Sequence, residues 1–186
     1  MMNEKKVVLI RKQNTEFVVN YPVEDPTIPK TYIWMGTKSS VLNKKSVPFQ
    51  VFEWLSTSTT TFKNGALIIE DNEDEDVQEI KSSIEGIEEV ESSILTAQEI
   101  SKLLKTGNHL ALKKALNELT EGKSDGLVSA ITKQVVNVAT DEGIDSASKR
   151  QIVCEWSGLD YENSDLHFDK KTEEDLDAVS KGKSIK

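Results

Sequence analysis

The side chains able to act as nucleophiles, bases or metal ligands are few and widely separated. Cys154 is the single cysteine, and His109 and His167 are the two histidines. A thiol needs a base within hydrogen-bond reach to hold it as thiolate, and no Cys/His pattern supplies one. Cys154 therefore reads as a small buried hydrophobe on a helix. Zinc asks for about four ligands at short, regular spacing, which two isolated histidines do not provide. Neither a GxGxxG string nor a Walker A loop is present. Carboxylates are plentiful, with 32 Asp and Glu in 186 residues, but they fall in runs that favour solvation over a tuned acid–base pair. These residues point away from catalysis, cofactors and metals, and toward a non-enzymatic protein that docks to other proteins.

Docking chemistry resides in aromatic and apolar side chains, and an acidic junction divides the chain that must position them. Residues 1–69 hold nine Lys/Arg against five Asp/Glu, residues 70–95 one against eleven, residues 96–160 eight against nine, and residues 161–186 five against seven. The net charge of −9 therefore belongs to the junction. Six acids within residues 70–76 repel one another and resist burial, which predicts an extended, solvated linker. Farther on, Ile80, Ile84, Ile87, Val90 and Ile94 recur at steps of 3 and 4, the stripe of an amphipathic helix. Gly86 within it costs about 1 kcal/mol relative to Ala and makes that helix marginal. Two readings fit the stripe: it docks on one of the chain's own modules, or it is a short self-association seam of coiled-coil type. The domain plan is a β-rich α+β module at 4–69, an acidic linker at 70–93, a helical bundle at 94–160 and a largely disordered tail at 161–186.

In the first module, residues 7–10 and 17–21 are β-branched and aromatic runs that read as two strands of a hairpin. Pro22, Pro26 and Pro29 force an irregular connection, Tyr32, Ile33 and Trp34 supply a third strand, and residues 37–45 read as a loop exposing Lys44 and Lys45. Pro48 suits a first helical turn, and Val51, Phe52 and Leu55 give the helix an apolar face. Asn64-Gly65 is a turn signal ahead of a last strand at 66–69. Eight of the chain's aromatic residues fall here. Core packing accounts for most of them, and an additional aromatic docking surface would use Tyr32, Trp34 and Trp54.

The run VPFQVFEWL, then a polar stretch, then FKNGALIIE resembles the small N-terminal modules of accessory virion proteins from tailed bacteriophages and from prophage elements of Gram-positive bacteria. The likeness rests on Val47-Pro48, Trp54-Leu55, Phe62 and Gly65 and covers about a third of the chain. It implies a structural role and carries no catalytic residues. A Lys-, Glu-, Ser-, Thr- and Asn-rich usage with two arginines suits an AT-rich genome of that kind.

From residue 94 the period is helical. Thr96 and Glu99 form a capping box ahead of Ile100, Leu103 and Leu104, and Gly107 ends that helix. Leu110, Leu112, Ala115, Leu116 and Leu119 belong to a second helix entered at Asn108. Ser124 or Asp125 caps a third containing Leu127, Val128, Ile131, Val135, Val138 and Ala139, ending at Gly143. Ser146 opens a fourth, with Ile152, Val153 and Trp156 inward and Gly158 as its stop. Such short connections predict a compact bundle of four short helices. The first helix pair is similar in outline to helix-extension-helix units of nucleic-acid-associated modules, and Lys149-Arg150 opens the last helix. The balance of basic and acidic residues leaves no concentrated positive face, so nucleic acid is disfavoured as a partner. Of the tail's sparse apolar residues, Leu166 and Phe168 are candidates to order against a neighbour.

The four-residue apolar run near the N-terminus is too short for a signal-peptide core or a membrane span, and a lone cysteine suits a reducing compartment. The expectation is a soluble, unexported phage structural or assembly protein, a capsid decoration or head–tail connector component. Its partners would be major capsid, portal or neck proteins, with a homo-oligomer as one option and no membrane. Its interaction candidates are Tyr32, Trp34, Trp54, Ile80, Ile84, Ile87, Leu166 and Phe168, and its localisation is the virion, with the host cytoplasm during assembly. The alternative is a cytoplasmic regulatory adaptor or inhibitor whose acidic segment fits a basic groove.

Overall fold

A computed structural model describes residues 5–23, 29–37 and 42–167. The architecture is mixed α+β, with small sheets near the N-terminus and helices after them. The described residues divide into two compact units. The first takes those up to Glu99 together with Gly122–Gln134, and the second takes Ile100–Glu121 and those from Val135 onward.

In the first unit, β1 (Lys6–Arg11) is the centre of an antiparallel sheet, flanked by β4 (Asn43–Pro48) and β5 (Ile68–Ile69). Leu9 lies opposite Lys45 on one side and Ile69 on the other. A separate two-stranded ladder joins β2 (Phe17–Tyr21) to β3 (Lys30–Trp34), with Val19 opposite Tyr32 and Val18 opposite Ile33. β1 and β2 are therefore not the two arms of a hairpin. The Gln13 carbonyl accepts from the Thr37 N–H at 2.9 Å, and the Arg11 guanidinium donates to the Thr15 carbonyl at 3.0 Å, so the connection turns away to begin a new ladder. Gly36 allows this close approach, because a Cβ there would lie 2.0 Å from the Asn14 carbonyl oxygen.

The expected loop at 37–45 is corrected in the same way, since Asn43, Lys44 and Lys45 belong to β4. Lysines on an outer strand discourage unwanted pairing. Lys44 is exposed while the Lys45 ammonium lies over the Trp34 ring, 5.7 Å from its centroid. Pro48 then caps α1 (Phe49–Ser58), which buries Val51, Phe52 and Leu55.

The acidic run does not stand apart from this unit. Glu70 donates its N–H to the Val8 carbonyl at 3.0 Å, Lys44 pairs with Glu70, and Lys5 pairs with Asp74 and Asp76. Asp74 caps α2 (Glu75–Ser83), accepting from the N–H groups of Asp76 and Val77. Lysines carried by β1's approach and by β4 thus supply the counter-charge that the run lacks within itself. The apolar stripe forms two helices, α2 and α3 (Ile87–Ser93), parted at Gly86, whose φ of 73° is left-handed. Val77, Ile84 and Ile87 share one buried cluster with Leu9, Trp34 and Phe52.

The helices beyond are α4 (Ala97–Lys105), α5 (His109–Thr120), α6 (Asp125–Glu142) and α7 (Ala147–Ser157), followed by a short 3-10 turn at Tyr161–Asn163. Their caps are those the sequence offers. The Thr96 Oγ1 accepts from the Glu99 N–H at 3.2 Å while Glu99 accepts from Thr96 in return. Asn108 and Ser146 cap α5 and α7. In the first unit the Gln134 amide donates to the Leu95 carbonyl at 2.6 Å. In the second, Leu112, Leu116, Val135, Val138, Ile152 and Val153 are among the buried residues.

Candidate functional site

The aromatic side chains that could have formed a docking surface lie mostly inside. Trp34 is fully buried and donates its indole N–H to the Leu9 carbonyl at 3.2 Å. Tyr32 is buried beside it, with ring centroids 6.3 Å apart. Ile84 and Ile87 are buried against the same core, Ile80 is half-buried on its margin, and Leu166 is buried in the second unit. A side chain already surrounded by its own protein offers a partner no surface, so these five buried positions act as core in this conformation. The stripe accordingly takes the self-docked arrangement of the two read from the sequence. Trp54 differs: it is half-buried and packs edge-on against Tyr21, with ring centroids 5.6 Å apart. Phe168 lies outside the described residues.

Exposed apolar side chains occur where type alone did not single them out. On the first unit Val18, Ile33 and Met35 are 44%, 41% and 57% exposed. Val18 and Ile33 are direct cross-strand partners, and Met35 stands two residues beyond Ile33, so alternation places all three on one outer face. On the second unit Leu110 and Leu159 are exposed. The signal for the first group was present, since period-2 alternation about the buried Val19, Tyr32 and Trp34 implies an opposite face.

Electrostatics divide along similar lines. Glu75, Asp76, Glu79, Glu85, Glu88 and Glu89 of α2, α3 and the joint between them are exposed. Hydrogen bonding from Lys5 holds the Asp74 carboxyl below its ordinary range, and the Thr96 backbone N–H does the same for Glu99. The Arg11 guanidinium is buried, which pulls its pKa down to about 10, and it donates to the Ala66 carbonyl at 2.6 Å. Lys149 and Arg150, the basic pair at the start of α7, turn inward. Lys149 donates to the carbonyls of Leu104 and Thr106 at 2.9 and 3.3 Å, and Arg150 to that of Ile144 at 2.6 Å. Both thereby meet carbonyl-rich ends of helices, where a cation is favoured. They are structural in position and present no phosphate-binding face.

Chemistry-bearing groups stay dispersed. Cys154 is buried, with its Sγ 3.3 Å from the Ser164 hydroxyl. Among the described residues no group of three or more His, Cys, Asp or Glu side chains could hold a metal ion. A Gly-x-Ser-x-Gly string does occur, at Gly122-Lys123-Ser124-Asp125-Gly126. A nucleophile elbow needs this string between a strand and a helix, whereas here it joins α5 to α6. Its Ser124 hydroxyl accepts from the Leu127 N–H at 3.4 Å, a helix-capping role.

The module from β1 to α2, with its β4-β1-β5 sheet, β2–β3 ladder and the helices α1 and α2, is the part with a recognisable counterpart. Residues 5–86 match the family model of the YonA N-terminal domain. YonA is a phage-associated family name. The YonA match closes at Gly86, the left-handed residue between α2 and α3, so it takes in the acidic run as part of the module. No curated protein and no solved structure matches the chain. Among the described residues no helix is long and apolar enough to cross a membrane.

Proposed function

We propose that the chain is a non-enzymatic structural or assembly component of a phage particle. The observation that carries this reading is the match of residues 5–86 to a phage-associated N-terminal domain. The arrangement of the side chains supports it: aromatic residues mostly spent on packing, the Lys149–Arg150 pair turned to helix ends, and exposed apolar groups beside a small sheet. Such a protein acts by occupancy, holding neighbouring virion proteins through surfaces that survive its own folding. Capsid, portal and neck proteins are the partners to test, as a capsid decoration or as a head–tail connector component.

A second reading draws on the exposed carboxylates of α2 and α3. On that reading the protein is a cytoplasmic adaptor or inhibitor whose acidic face occupies a basic groove, with strongly salt-dependent binding. The two separate cleanly by purifying particles through a density gradient and quantifying the chain by mass spectrometry. Fixed stoichiometry with the capsid protein, retained after a high-salt wash, is the expected result. A chain abundant in the lysate and missing from washed particles would overturn the virion reading.

A further inference from the structure

The β2–β3 ladder is short, two-stranded and incomplete. β3 packs beside β4, but the outer edge of β2 has no ladder partner among the described residues. Proteins usually guard such an edge with lysine, proline or a bulge. β2 reads Phe-Val-Val-Asn-Tyr, with none of these inside the strand and Pro22 only at its end. Its outer face continues across the ladder as Val18 opposite Ile33, with Met35 alongside, all exposed.

We propose that this edge pairs with β2 of a second copy of the chain, antiparallel about a two-fold axis at Val18. Within each copy Val18 already faces Ile33. Placing Val18 opposite its symmetry mate would extend that row without a break, Ile33–Val18–Val18–Ile33, across a four-stranded sheet. The same register sets Phe17 opposite Val19 of the other copy, an aromatic–β-branched pair of the kind that stabilises sheets. A two-fold contact of this type closes on itself.

Charge limits where a second copy can approach. The chain carries −9, so two copies repel over most approaches. Residues 17–23 are uncharged, as are Thr31 and Ile33 on the outer face of β3 and Met35 just beyond it, and the exposed Glu16 at the end of the strip would fall opposite Asn20 of the other copy and not opposite a second acid. A strongly charged partner would find only Glu16 to pair with at the end of this strip, whereas the apolar row of Val18 and Ile33 continues without a break into its own symmetry mate. The inference does not depend on the virion reading. A monomeric purified protein would overturn it and leave particle incorporation untouched.

The test is the solution mass of the full chain by light scattering over a wide concentration range, with Val18→Lys and Ile33→Lys beside it. The wild type is expected to be a dimer. Either lysine should return it to a monomer with an unchanged circular dichroism spectrum, because both sites are exposed. Leu110→Lys, at a still more exposed apolar site on the other unit, should stay dimeric. A second readout uses Val18→Cys, whose thiols would face one another across the axis while Cys154 remains buried. Mild oxidation should crosslink Val18→Cys efficiently and Leu110→Cys poorly. A monomeric wild type, a dimer indifferent to Val18→Lys, or equal crosslinking of the two cysteines would each overturn the proposal.

Discussion

Asp74 and Glu99 show how single carboxylates join the acidic segment to the folded chain. Asp74 sits below its ordinary value of 3.8, first because Lys5 hydrogen-bonds it, and Glu99 sits below 4.5, first because the Thr96 N–H does. A carboxyl depressed in the folded state adds stability that is fully present above its unfolded pKa and disappears as pH falls through its folded value. The pair Asp74→Asn and Glu99→Gln should therefore be less stable than wild type at pH 7, with the difference closing as pH falls below 3.8. Urea midpoints at several pH values measure this. A difference that stays constant into acid would show that these groups act through shape and not through charge. At this scale the sequence is only partly legible. Trp34 and Tyr32 have the residue types of a docking surface, but type cannot say which face of a strand meets the core. Their burial follows from β1 and α1 covering one side of the β2–β3 ladder, a long-range event with no local sign. The acids of residues 70–76 are similar: repulsion among them is local and visible, while the lysines that answer them lie on distant strands.

Elements are easier to read than residues, because their signals are local. The capping box at Thr96 and Glu99, the Asn108 and Ser146 caps and the glycine stops place α4 to α7 almost where they occur, and Pro48 marks the start of α1 correctly. Pairing partners were not legible: β1 lies against β4 and β5, far away in sequence, and not against β2. The broken stripe shows both behaviours, since its apolar spacing is helical while Gly86 parts it into two helices. Two glycines test what the break requires. Gly86 has φ of 73°, and a Cβ added there would have no atom within 4 Å, so Gly86→Ala meets only left-handed backbone strain, about 1 kcal/mol. Gly65 has φ of 62°, and its Cβ would lie 2.4 Å from Ile94 Cγ1. Overpacking adds about 1–3 kcal/mol to the strain there. Gly65→Ala should therefore lower the urea midpoint clearly more than Gly86→Ala. Equal effects would mean that Ile94 yields without cost.

At the level of the whole molecule, the chain does not finish its first unit before starting its second. Gly122–Gln134 returns to the first unit, where Gln134 satisfies the Leu95 carbonyl and Lys123 approaches Glu89 at 3.6 Å. Leu127 and Ile131, both within that returning segment, are buried. Composition and periodicity cannot reveal such a return, because α6 looks like one uniform helix along its length. It has a thermodynamic consequence. A fragment ending at Glu99 keeps both sheets and α1 to α3 but loses the apolar surface of Leu127 and Ile131 and leaves Leu95 without its amide donor. Burying a Leu or Ile side chain contributes about 1.5–3 kcal/mol, and a net hydrogen bond about 1 kcal/mol. A small domain holds only about 5–15 kcal/mol in total. The fragment 1–99 should therefore unfold at a markedly lower urea concentration than the fragment 1–142, with both followed by tryptophan fluorescence from Trp34 and Trp54. If the two unfold at the same concentration, the first 99 residues are self-sufficient, and the returning half of α6 rests on the first unit without supporting it.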